Sequence, residues 1–423
     1  MVASFEPAAL SRRRGLSLPV AVLAGTMMLL ASCAPRQKAP VAAAPPPPVA
    51  AEKPVMAAPG AQHRIAILVP LTGPNAPVGI SLSNAATMAL ADTKKSGVRL
   101  TSYDTAAMGP AAAARKAMGD GAELILGPLL ANDVAAVRAA AATKGVTVLS
   151  FSNDAAVAGG PVYVLGFQPG QSVERVVNWT AARGTRRFAA LVPNGVYGQR
   201  SAVAFTRAVH GAGGQVVAVT NFARTPAALA PAARTVTDFD GRTKAAGAAV
   251  RRPDGTIAPV QSKTAPVNFE ALMIADSGSI ATAFLPHLAR YGVAHGSTIL
   301  LGTELWNNEP GLRAVPGLQG ALFAAVPDQR FNAMASRYRA RFGGAPSRLA
   351  SLSYDAMLLA ISSAGAGWQL GTPFPAAILN DAKGFAGVDG VFRFRSNVAE
   401  RGLEVQQVGP QGFATVSPAP TGF

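Results

Sequence analysis

The sequence is poor in cysteine, in aromatic side chains and in acidic residues. Its one cysteine among 423 residues excludes an intramolecular disulfide, so the fold depends on packing of the apolar residues that make up 49% of the chain. Acidic residues number 22 against 38 basic ones, which gives a formal net charge of +16. Such a basic balance is often found in proteins that bind nucleic acid or other polyanions.

Short motifs of the common enzyme classes are also missing. The sequence contains no G-x-S-x-G, H-E-x-x-H, G-x-x-x-x-G-K-[ST] or S-x-x-K, and no complete G-x-G-x-x-G. The histidines are scattered and form no i, i+4 pair of the kind that binds zinc: His63, His210, His287 and His295. We therefore expect a protein that is not an enzyme and that holds neither a metal ion nor a cofactor.

The amino terminus has the organisation of a secretory signal. Three arginines at 12–14 precede an apolar run over 16–30, which is shorter than the roughly 20 residues that a membrane-spanning helix needs. Leu30-Ala31-Ser32-Cys33 resembles the bacterial lipobox, whose cysteine is acylated and becomes the first residue after cleavage. The sequence thus predicts a signal peptide over 1–32 and lipidation of Cys33, and the alternative is an ordinary signal peptide with a chance cysteine. By the same resemblance, Ala34 in place of Asp implies the outer membrane, with the protein facing the periplasm.

Export changes the interpretation of the basic charge. Cleavage removes three arginines and Glu6, which leaves 35 basic and 21 acidic residues. An exported protein is not expected to bind nucleic acid. Anionic lipid head groups, acidic envelope polymers or an acidic protein partner are the expected contacts, and the alternative is a basic surface that is merely solvated.

The segment after Cys33 has the composition of a tether. Alanine and proline supply 13 of the 18 residues over 34–51, a composition that cannot bury a core and that favours extended polyproline II. At about 3.1 Å per residue, residues 34–62 reach on the order of 90 Å when extended. We expect residues 33–62 to hold the folded part, 63–423, away from the membrane.

The remaining sequence alternates between strand-like and helix-like segments. The first run predicts strands at 64–69, 98–103, 124–126 and 146–149 and helices at 80–93, 111–118 and 134–144. A second run predicts strands at 188–192, 215–219, 271–275 and 298–301 and helices at 196–210 and 279–291. Because such alternation forms parallel sheets covered by helices, we expect an α/β fold with one lobe at about 63–184 plus later segments, a second at about 185–345, and closing segments at 346–423. The least regular stretch, 225–267, is expected to hold helix fragments and a mobile loop.

Several short blocks resemble type I periplasmic binding proteins. They occur in the family's order within 64–413, and they lie at 65–74, 103–105, 127–130, 196–198 and 386–394. The first block is similar to the family's first strand and loop, and the last is similar to its closing hairpin. The resemblance implies the type I periplasmic binding protein fold, in which two doubly wound parallel-sheet lobes are joined by a hinge.

Three details resemble one branch, the penicillin-binding-protein activator family. They are Gly127-Pro128-Leu129-Leu130 followed by Val134, the run from Leu300 to Trp306, and a lipobox ahead of a binding-protein domain. Members of that family are outer-membrane lipoproteins that stimulate peptidoglycan synthases, so the resemblance implies activation of a penicillin-binding synthase by protein contact. The alternative is a solute-binding lipoprotein of an ABC transporter for amino acids or amides. The enterobacterial activator has a helical-repeat domain where this sequence has only the Pro/Ala tether.

A ligand of such a fold is expected beyond the carboxyl ends of the strands. The candidate residues there are Thr72, Gly73, Asn132, Asp133, Ser152, Asn153 and Asp154 in the first lobe and Tyr197 and Glu304 in the second. Amino-acid receptors of the family use hydroxyl groups in the stretch that is here Leu129, Leu130 and Ala131, which weakens the expectation of an amino-acid clamp. Serine, asparagine and aspartate also make turns and cap helices, and that is the alternative role for these residues.

Overall fold

The computed structural model describes residues 61–93, 97–246, 253, 264–294 and 296–423. The predicted signal peptide, Cys33 and the tether up to residue 60 lie outside the described residues, as do residues 247–252 and 254–263 of the stretch 225–267, in which a mobile loop is predicted. Among the described helices, none combines the length and the hydropathy needed to cross a bilayer.

The first lobe contains a parallel sheet with strand order β2-β1-β3-β4-β5. Its strands are β1 His63–Val69, β2 Val98–Asp104, β3 Leu124–Leu126, β4 Thr147–Ser150 and β5 Val162–Val164. Its helices are α1 Ala76–Thr93, α2 Thr105–Met108, α3 Pro110–Gly119 and α4 Ala131–Ala142. The predicted strands and helices of this run are confirmed, with ends that move by at most four residues.

The second lobe repeats the arrangement with strand order β7-β6-β8-β9-β10. Its strands are β6 Arg187–Pro193, β7 Gln215–Phe222, β8 Ala271–Ile274, β9 Ile299–Leu301 and β10 Leu322–Ala325. Its helices are α5 Pro169–Ala181, α6 Val196–Gly211, α7 Pro226–Val236, α8 Phe239–Ala246 and α9 Gly278–Arg290. The helix fragments predicted within 225–267 are therefore α7 and α8.

The chain then returns to both sheets. The helices α10 Gln329–Phe342 and α11 Ala350–Ala364 precede the strands β11 Phe385–Gly387, β12 Gly390–Arg395, β13 Val398–Arg401, β14 Glu404–Gly409 and β15 Gly412–Ser417. Strands β11 to β13 extend the first sheet to eight strands, and β14 and β15 extend the second to seven. Because β12 is antiparallel to both of its neighbours and β14 to β10, the sheets are mixed, whereas the sequence pattern predicts parallel ones. The pattern also predicts that the first lobe extends to about 184 and the second to about 345. Both boundaries are wrong, because Val173 and Val177 of α5 belong to the core of the second lobe and Met334 and Tyr338 of α10 to the core of the first.

The strands are almost continuously apolar because each sheet is covered by a hydrophobic core on both faces. Along β1, Ile65 and Ile67 belong to one buried cluster and Ala66 and Leu68 to the opposite one. The strand therefore shows no alternation of polar and apolar residues, as expected for a sheet covered on both sides.

The two lobes place a helix against the end of their first strand in the same way. A Cβ atom on Gly79 of α1 would lie 1.8 Å from the carbonyl oxygen of Pro70, and one on Gly198 of α6 would lie 1.7 Å from that of Pro193. Only glycine permits these approaches. They bring the start of each helix, and the loop before it, to the carboxyl edge of its sheet.

Three segments connect the lobes: residues 165–168, 326–328 and 402–403. They follow β5, β10 and β13, so all three lie at the carboxyl end of a strand. We call them the hinge segments.

Candidate functional site

A cavity of about 530 Å³ lies between the lobes, at the carboxyl ends of both sheets and against the hinge segments. Its first-lobe wall is largely apolar and contains Leu129, Leu130, Ala131, Phe151 and Leu349. The second lobe contributes the turn Glu304–Asn308, and the hinge side contributes Phe167, Arg348 and Arg401. A cavity of this size is within the range of small-molecule sites.

Two of the sequence-predicted residues line the cavity. They are Asn153 after β4 and Glu304 after β9. Asn132 and Asp133 lie in the first turn of α4 instead of a loop. The sequence pattern predicts them in the loop before a helix at 134–144, but α4 begins three residues earlier, at Ala131.

Other predicted residues have local structural roles. Thr72 Oγ1 donates to Asp104 Oδ2 at 2.8 Å, and Gly73 takes a φ of +74° in the turn before α1. Ser152 Oγ accepts the amide of Asp154 at 3.0 Å. These contacts match the turn and cap roles given as the alternative.

Asp154 also connects the lobes. Its carboxylate accepts the amide of Ala156 at 2.8 Å and forms an ion pair with Arg200 of α6. Both side chains are partly buried, at 21% and 30% exposure. We call this ion pair the latch, because it joins the loop after β4 in the first lobe to a helix of the second.

Glu304 and Tyr197 form a half-buried pair in the second lobe. The Tyr197 hydroxyl lies 3.1 Å from Glu304 Oε1 and 2.9 Å from Thr303 Oγ1. Burial raises the pKa of Glu304 to about 7, and burial together with the Glu304 charge raises the pKa of Tyr197 well above its ordinary value. Glu304 Oε2 and Asn307 Oδ1 are buried and have no hydrogen-bond partner among the described residues.

A buried ionic cluster, which the sequence pattern does not predict, lies at the hinge. Arg348 Nη1 donates to Asp389 Oδ1 at 2.7 Å, while its Nη2 lies 3.4 Å from Asp328 Oδ1 in a hinge segment. Arg401 lies 3.9 Å from Asp389 Oδ2 and donates to the carbonyl oxygen of Leu165 at 2.8 Å. The side chain of Asp389 is 0% exposed. This hinge cluster joins the ends of all three hinge segments.

Aromatic and carboxyl groups complete the hinge cluster. Both guanidinium groups lie over the ring of Phe167, at 5.4 Å for Arg348 and 5.0 Å for Arg401. Asp355 accepts the amide of Val388 at 2.7 Å, which fixes the turn that carries Asp389. Burial, and then the charge of Asp389, raise the pKa of Asp355 to about 7.

Within the described part of the chain, no group of three or more histidine, cysteine, aspartate or glutamate side chains is arranged to hold a metal ion. His63 Nδ1 lies 2.6 Å from Glu123 Oε2, and its ring stacks on Trp368 at 3.9 Å. This histidine is therefore part of the packing at the start of β1.

Comparison with known proteins identifies the relatives of this fold. A family model described as periplasmic binding protein matches residues 62–408. The uncharacterized protein RP748 of Rickettsia prowazekii (strain Madrid E) is 33% identical over 136 residues, which are 32% of this chain and 36% of that protein. The chain thus spans about a third of the length of this curated relative.

Solved structures of two kinds share the fold. The ABC transporter substrate-binding protein from Sphaerobacter thermophilus aligns over 84% of this chain and 97% of its own, with a TM-score of 0.64 and 18% identity. The C-domain of LpoA from Haemophilus influenzae, a regulator of PBP1A, aligns over 84% of this chain and 99% of its own, with a TM-score of 0.59 and 18% identity. Both similarities concern the architecture of two α/β lobes with mostly parallel sheets.

Proposed function

Because the chain belongs to the periplasmic binding protein family and has its type I fold, we propose that it is an exported lipoprotein that activates a penicillin-binding peptidoglycan synthase by protein contact. In this proposal the chain performs no chemistry itself. Cys33 attaches it to the outer membrane, and the Pro/Ala tether lets the folded domain extend into the periplasm.

The similarity to a regulator of a penicillin-binding protein supports this function. The LpoA C-domain aligns over nearly its whole length with the two lobes of this chain. The motifs at 127–130 and 300–306 and the lipobox point to the same family of activators. The two motifs lie within the aligned lobes, and the lipobox lies ahead of them.

The observation that carries the proposal is the apolar wall of the first lobe. Where the family's amino-acid receptors are expected to hold a carboxylate with hydroxyl groups, the cavity presents Leu129, Leu130 and Ala131. These three side chains offer no hydroxyl to a ligand carboxylate, and burying a carboxylate with too few hydrogen-bond donors costs several kcal/mol. In addition, the latch between Asp154 and Arg200 joins the lobes without a ligand. A domain that acts by its surface needs neither ligand binding nor lobe opening.

A second candidate, a solute-binding lipoprotein of an ABC transporter, is favoured by the second-lobe side of the same cavity. Glu304 Oε2 and Asn307 Oδ1 are buried acceptors without a partner among the described side chains. Both atoms are shielded from the cavity in this structure, so a solute amine or amide N–H would satisfy them only after the turn Glu304–Asn308 moves. The substrate-binding protein from Sphaerobacter thermophilus, which shares the fold, is a protein of this class.

Two measurements on the same purified chain separate these functions. The first is the rate of glycan polymerisation by a penicillin-binding synthase with and without the chain. The second is heat unfolding against a panel of amino acids, amides and peptidoglycan fragments, where a ligand at a hundredfold its Kd stabilises by about 2.7 kcal/mol. Faster polymerisation without any ligand shift supports the activator. A shift with a free amino acid, without an effect on the synthase, contradicts it.

The variant Glu304→Gln makes this comparison sharper. It removes the buried carboxyl of the cavity, so solute binding should fall while synthase activation persists. Glu174→Gln is the matched control, because Glu174 is exposed and pairs with Arg207 away from the cavity. Loss of synthase activation in Glu304→Gln alone would place the cavity in the activation mechanism.

A further inference from the structure

The first sheet ends on β2, the outermost of its eight strands. All seven residues Val98–Asp104 pair in register with β1, and the strand contains neither a bulge nor a proline. Edge strands in natural proteins are usually shortened, bulged, interrupted by proline or covered, because their free backbone groups pair with other strands. The opposite edge of this sheet, β11, has only three residues. β2 is therefore a long and regular edge.

The backbone groups of β2 that face outward belong to Leu100 and Ser102. The amide of His63 donates to the carbonyl oxygen of Gly97 at 2.9 Å, which fixes the phase of the parallel ladder. Because alternate residues of a strand direct their backbone groups to the same neighbour, the backbone of Arg99 bonds to β1 while those of Leu100 and Ser102 face outward. No hydrogen bond to these two backbones occurs among the described residues, and Ser102 is exposed.

A cationic pocket of about 200 Å³ lies beside this edge, on the face of the sheet that α3 covers. Arg99 and Thr101 of β2 line it together with Ala117 of α3. Arg64 of β1, the register neighbour of Arg99, also lines it, and both arginines are exposed. Arg64 uses one N–H on the carbonyl oxygen of Asp120 at 3.0 Å, and Arg99 has no hydrogen bond or ion pair among the described residues. The pocket thus offers guanidinium N–H groups that a ligand can reach.

Asp120 is the one carboxylate in the lining of this pocket, and its charge is already compensated. It accepts hydrogen bonds from Lys116 Nζ at 2.9 Å and from the Tyr103 hydroxyl at 2.8 Å. These two hydrogen bonds, that of Lys116 first, lower the pKa of Asp120. Because Lys116 balances Asp120, the two arginines leave the pocket with an excess of positive charge.

We propose that β2 pairs with an extended strand of a protein partner that carries acidic side chains on one face. The strand would continue the first sheet through main-chain hydrogen bonds to Leu100 and Ser102, as in β-strand addition. Side chains of neighbouring strands pair on the same face of a sheet, so carboxylates on the α3 side would lie beside Arg99. This contact rests on the activator function proposed above, but binding of a strand can be measured without a synthase.

A second copy of the chain suits this edge less than an acidic strand does. Pairing of β2 with β2 of another copy would bring two cationic pockets to one interface, and like charges across a strand pair are destabilising. A charged side chain on an edge strand also limits indiscriminate pairing. Arg99 therefore selects against basic strands and in favour of acidic ones.

The first test adds the peptide acetyl-Val-Glu-Val-Glu-Val-amide to the full chain, with acetyl-Val-Lys-Val-Lys-Val-amide as the comparison. Hydrogen exchange followed by mass spectrometry should show slower exchange over 98–104 with the acidic peptide. Calorimetry should show that the acidic peptide binds more tightly and that its advantage shrinks between about 0.05 M and about 1 M salt. Equal affinities would overturn the acidic partner, and slower exchange confined to β7 or to the interlobe cavity would overturn the site.

Ser102→Pro tests the main-chain pairing. It removes the outward amide and keeps the ladder with β1, because proline is tolerated on an edge strand where the N–H faces solvent. Affinity for the acidic peptide should fall roughly fivefold, the effect of one hydrogen bond. Asn221→Pro is the matched control, since Asn221 is exposed on β7, the edge strand of the second sheet. Ser102→Ala removes the hydroxyl and keeps the amide, so an equal loss in that variant would overturn the pairing.

Arg99→Gln tests the charge without a change of backbone. The affinity for the acidic peptide should fall about two- to fivefold, as expected for an exposed ion pair, and the preference over the lysine peptide should disappear. Arg115→Gln, at an exposed position of α3 that does not line the pocket, should keep both. An unchanged preference in Arg99→Gln contradicts the role assigned to this arginine.

The synthase assay connects the edge to the proposed function. Ser102→Pro should need roughly fivefold more chain for half-maximal activation, again the effect of one hydrogen bond, and Asn221→Pro should behave as the parent. Unchanged activation by Ser102→Pro would overturn pairing with the synthase. If the parent does not activate the synthase but binds the acidic peptide over 98–104, the proposed function fails and the β2 site stands. A dimer in sedimentation that Ser102→Pro dissociates would identify a second copy as the occupant and overturn the acidic partner.

Discussion

Replacement of Asp389 by asparagine should destabilise the protein strongly, because it removes a buried negative charge and keeps the shape of the side chain. Asp389 is 0% exposed and lies between Arg348, at 2.7 Å, and Arg401, at 3.9 Å. After the substitution, the pair of buried guanidinium groups has lost the anion between them. Removal of one partner from a buried ion pair costs about 3–5 kcal/mol.

That energy corresponds to a measurable fall in the unfolding midpoint. At ~2.1 cal/mol/K per residue, a folded part of roughly 360 residues has an unfolding entropy of about 0.75 kcal/mol/K, so the midpoint should fall by about 4–7 °C. Heat unfolding followed by circular dichroism measures it. Asp240→Asn is the matched control, because Asp240 pairs with Arg234 while both side chains are more than half exposed, and exposed pairs contribute little.

A double variant separates lost charge from lost shape. If uncompensated guanidinium charge is the cause, adding Arg348→Met to Asp389→Asn should raise the midpoint again, because the second substitution removes one of the two buried positive charges that the first left without an anion. A midpoint for Asp389→Asn within about 1 °C of the parent would refute the assigned role of the hinge cluster, given the size of change expected for this fold. A further fall in the double variant would show that the other contacts of Arg348, with Asp328 and with the ring of Phe167, outweigh the charge imbalance.

Three further predictions concern Glu304 in the cavity, the latch and the lipid anchor. The pKa of Glu304 is raised from its ordinary 4.5 to about 7, so its contribution to stability should be full below pH 4.5 and lost as the pH rises through 7. Heat unfolding between pH 4.5 and 8 measures this dependence. Glu304→Gln should flatten it, and the control Glu174→Gln should not. Arg200→Met breaks the latch, so the radius of gyration from X-ray scattering should increase, while Arg207→Met on the same helix should leave it unchanged; no change in either would show that the latch does not hold the lobes. Cys33→Ser should move the exported chain from the membrane fraction to the soluble periplasm, and a variant that stays on the membrane would contradict lipid anchoring.

The strands and helices could be predicted because each is specified by its own residues. β1 sends side chains into buried clusters on both faces of its sheet, and a short apolar run ended by Pro70 is the local signal of such a strand. α7 was less clear, because Pro226 and Pro231 both lie within it. Pro226 occupies the first turn, where its missing N–H is harmless, but the sequence pattern does not show that packing tolerates Pro231.

The site was predicted only in part, because its members are distant in sequence. The rule that ligands meet the carboxyl ends of strands identified Asn153 and Glu304. Arg348 and Asp389 are 41 residues apart and no periodic pattern relates them. Asp154 was predicted as a ligand residue, yet its carboxylate is used by the latch and by the turn that follows it. A polar residue after a strand thus identifies the edge of the sheet where a ligand is expected, but it does not indicate what that residue contacts.

Leu130 offers a test of why the first-lobe wall is apolar. It occupies the N-cap of α4 with an extended backbone, φ −88° and ψ 135°, and makes no side-chain cap. Threonine there would accept an orphan amide of α4 and stabilise by about 1 kcal/mol, so Leu130→Thr should raise the unfolding midpoint and add a hydroxyl to the cavity. Leu305→Thr, on the opposite wall at similar exposure, is the control.

The two proposed functions then predict different behaviour of Leu130→Thr. If the apolar wall excludes amino acids from the cavity, the variant should gain weak binding of a free amino acid by calorimetry and keep synthase activation. If the parent is a receptor whose ligand packs on Leu130, the variant should lose ligand stabilisation instead. A lower midpoint, in spite of the new cap, would show that the leucine at position 130 stabilises the packing of the first lobe. The apolar character of this position would then not be explained by the cavity.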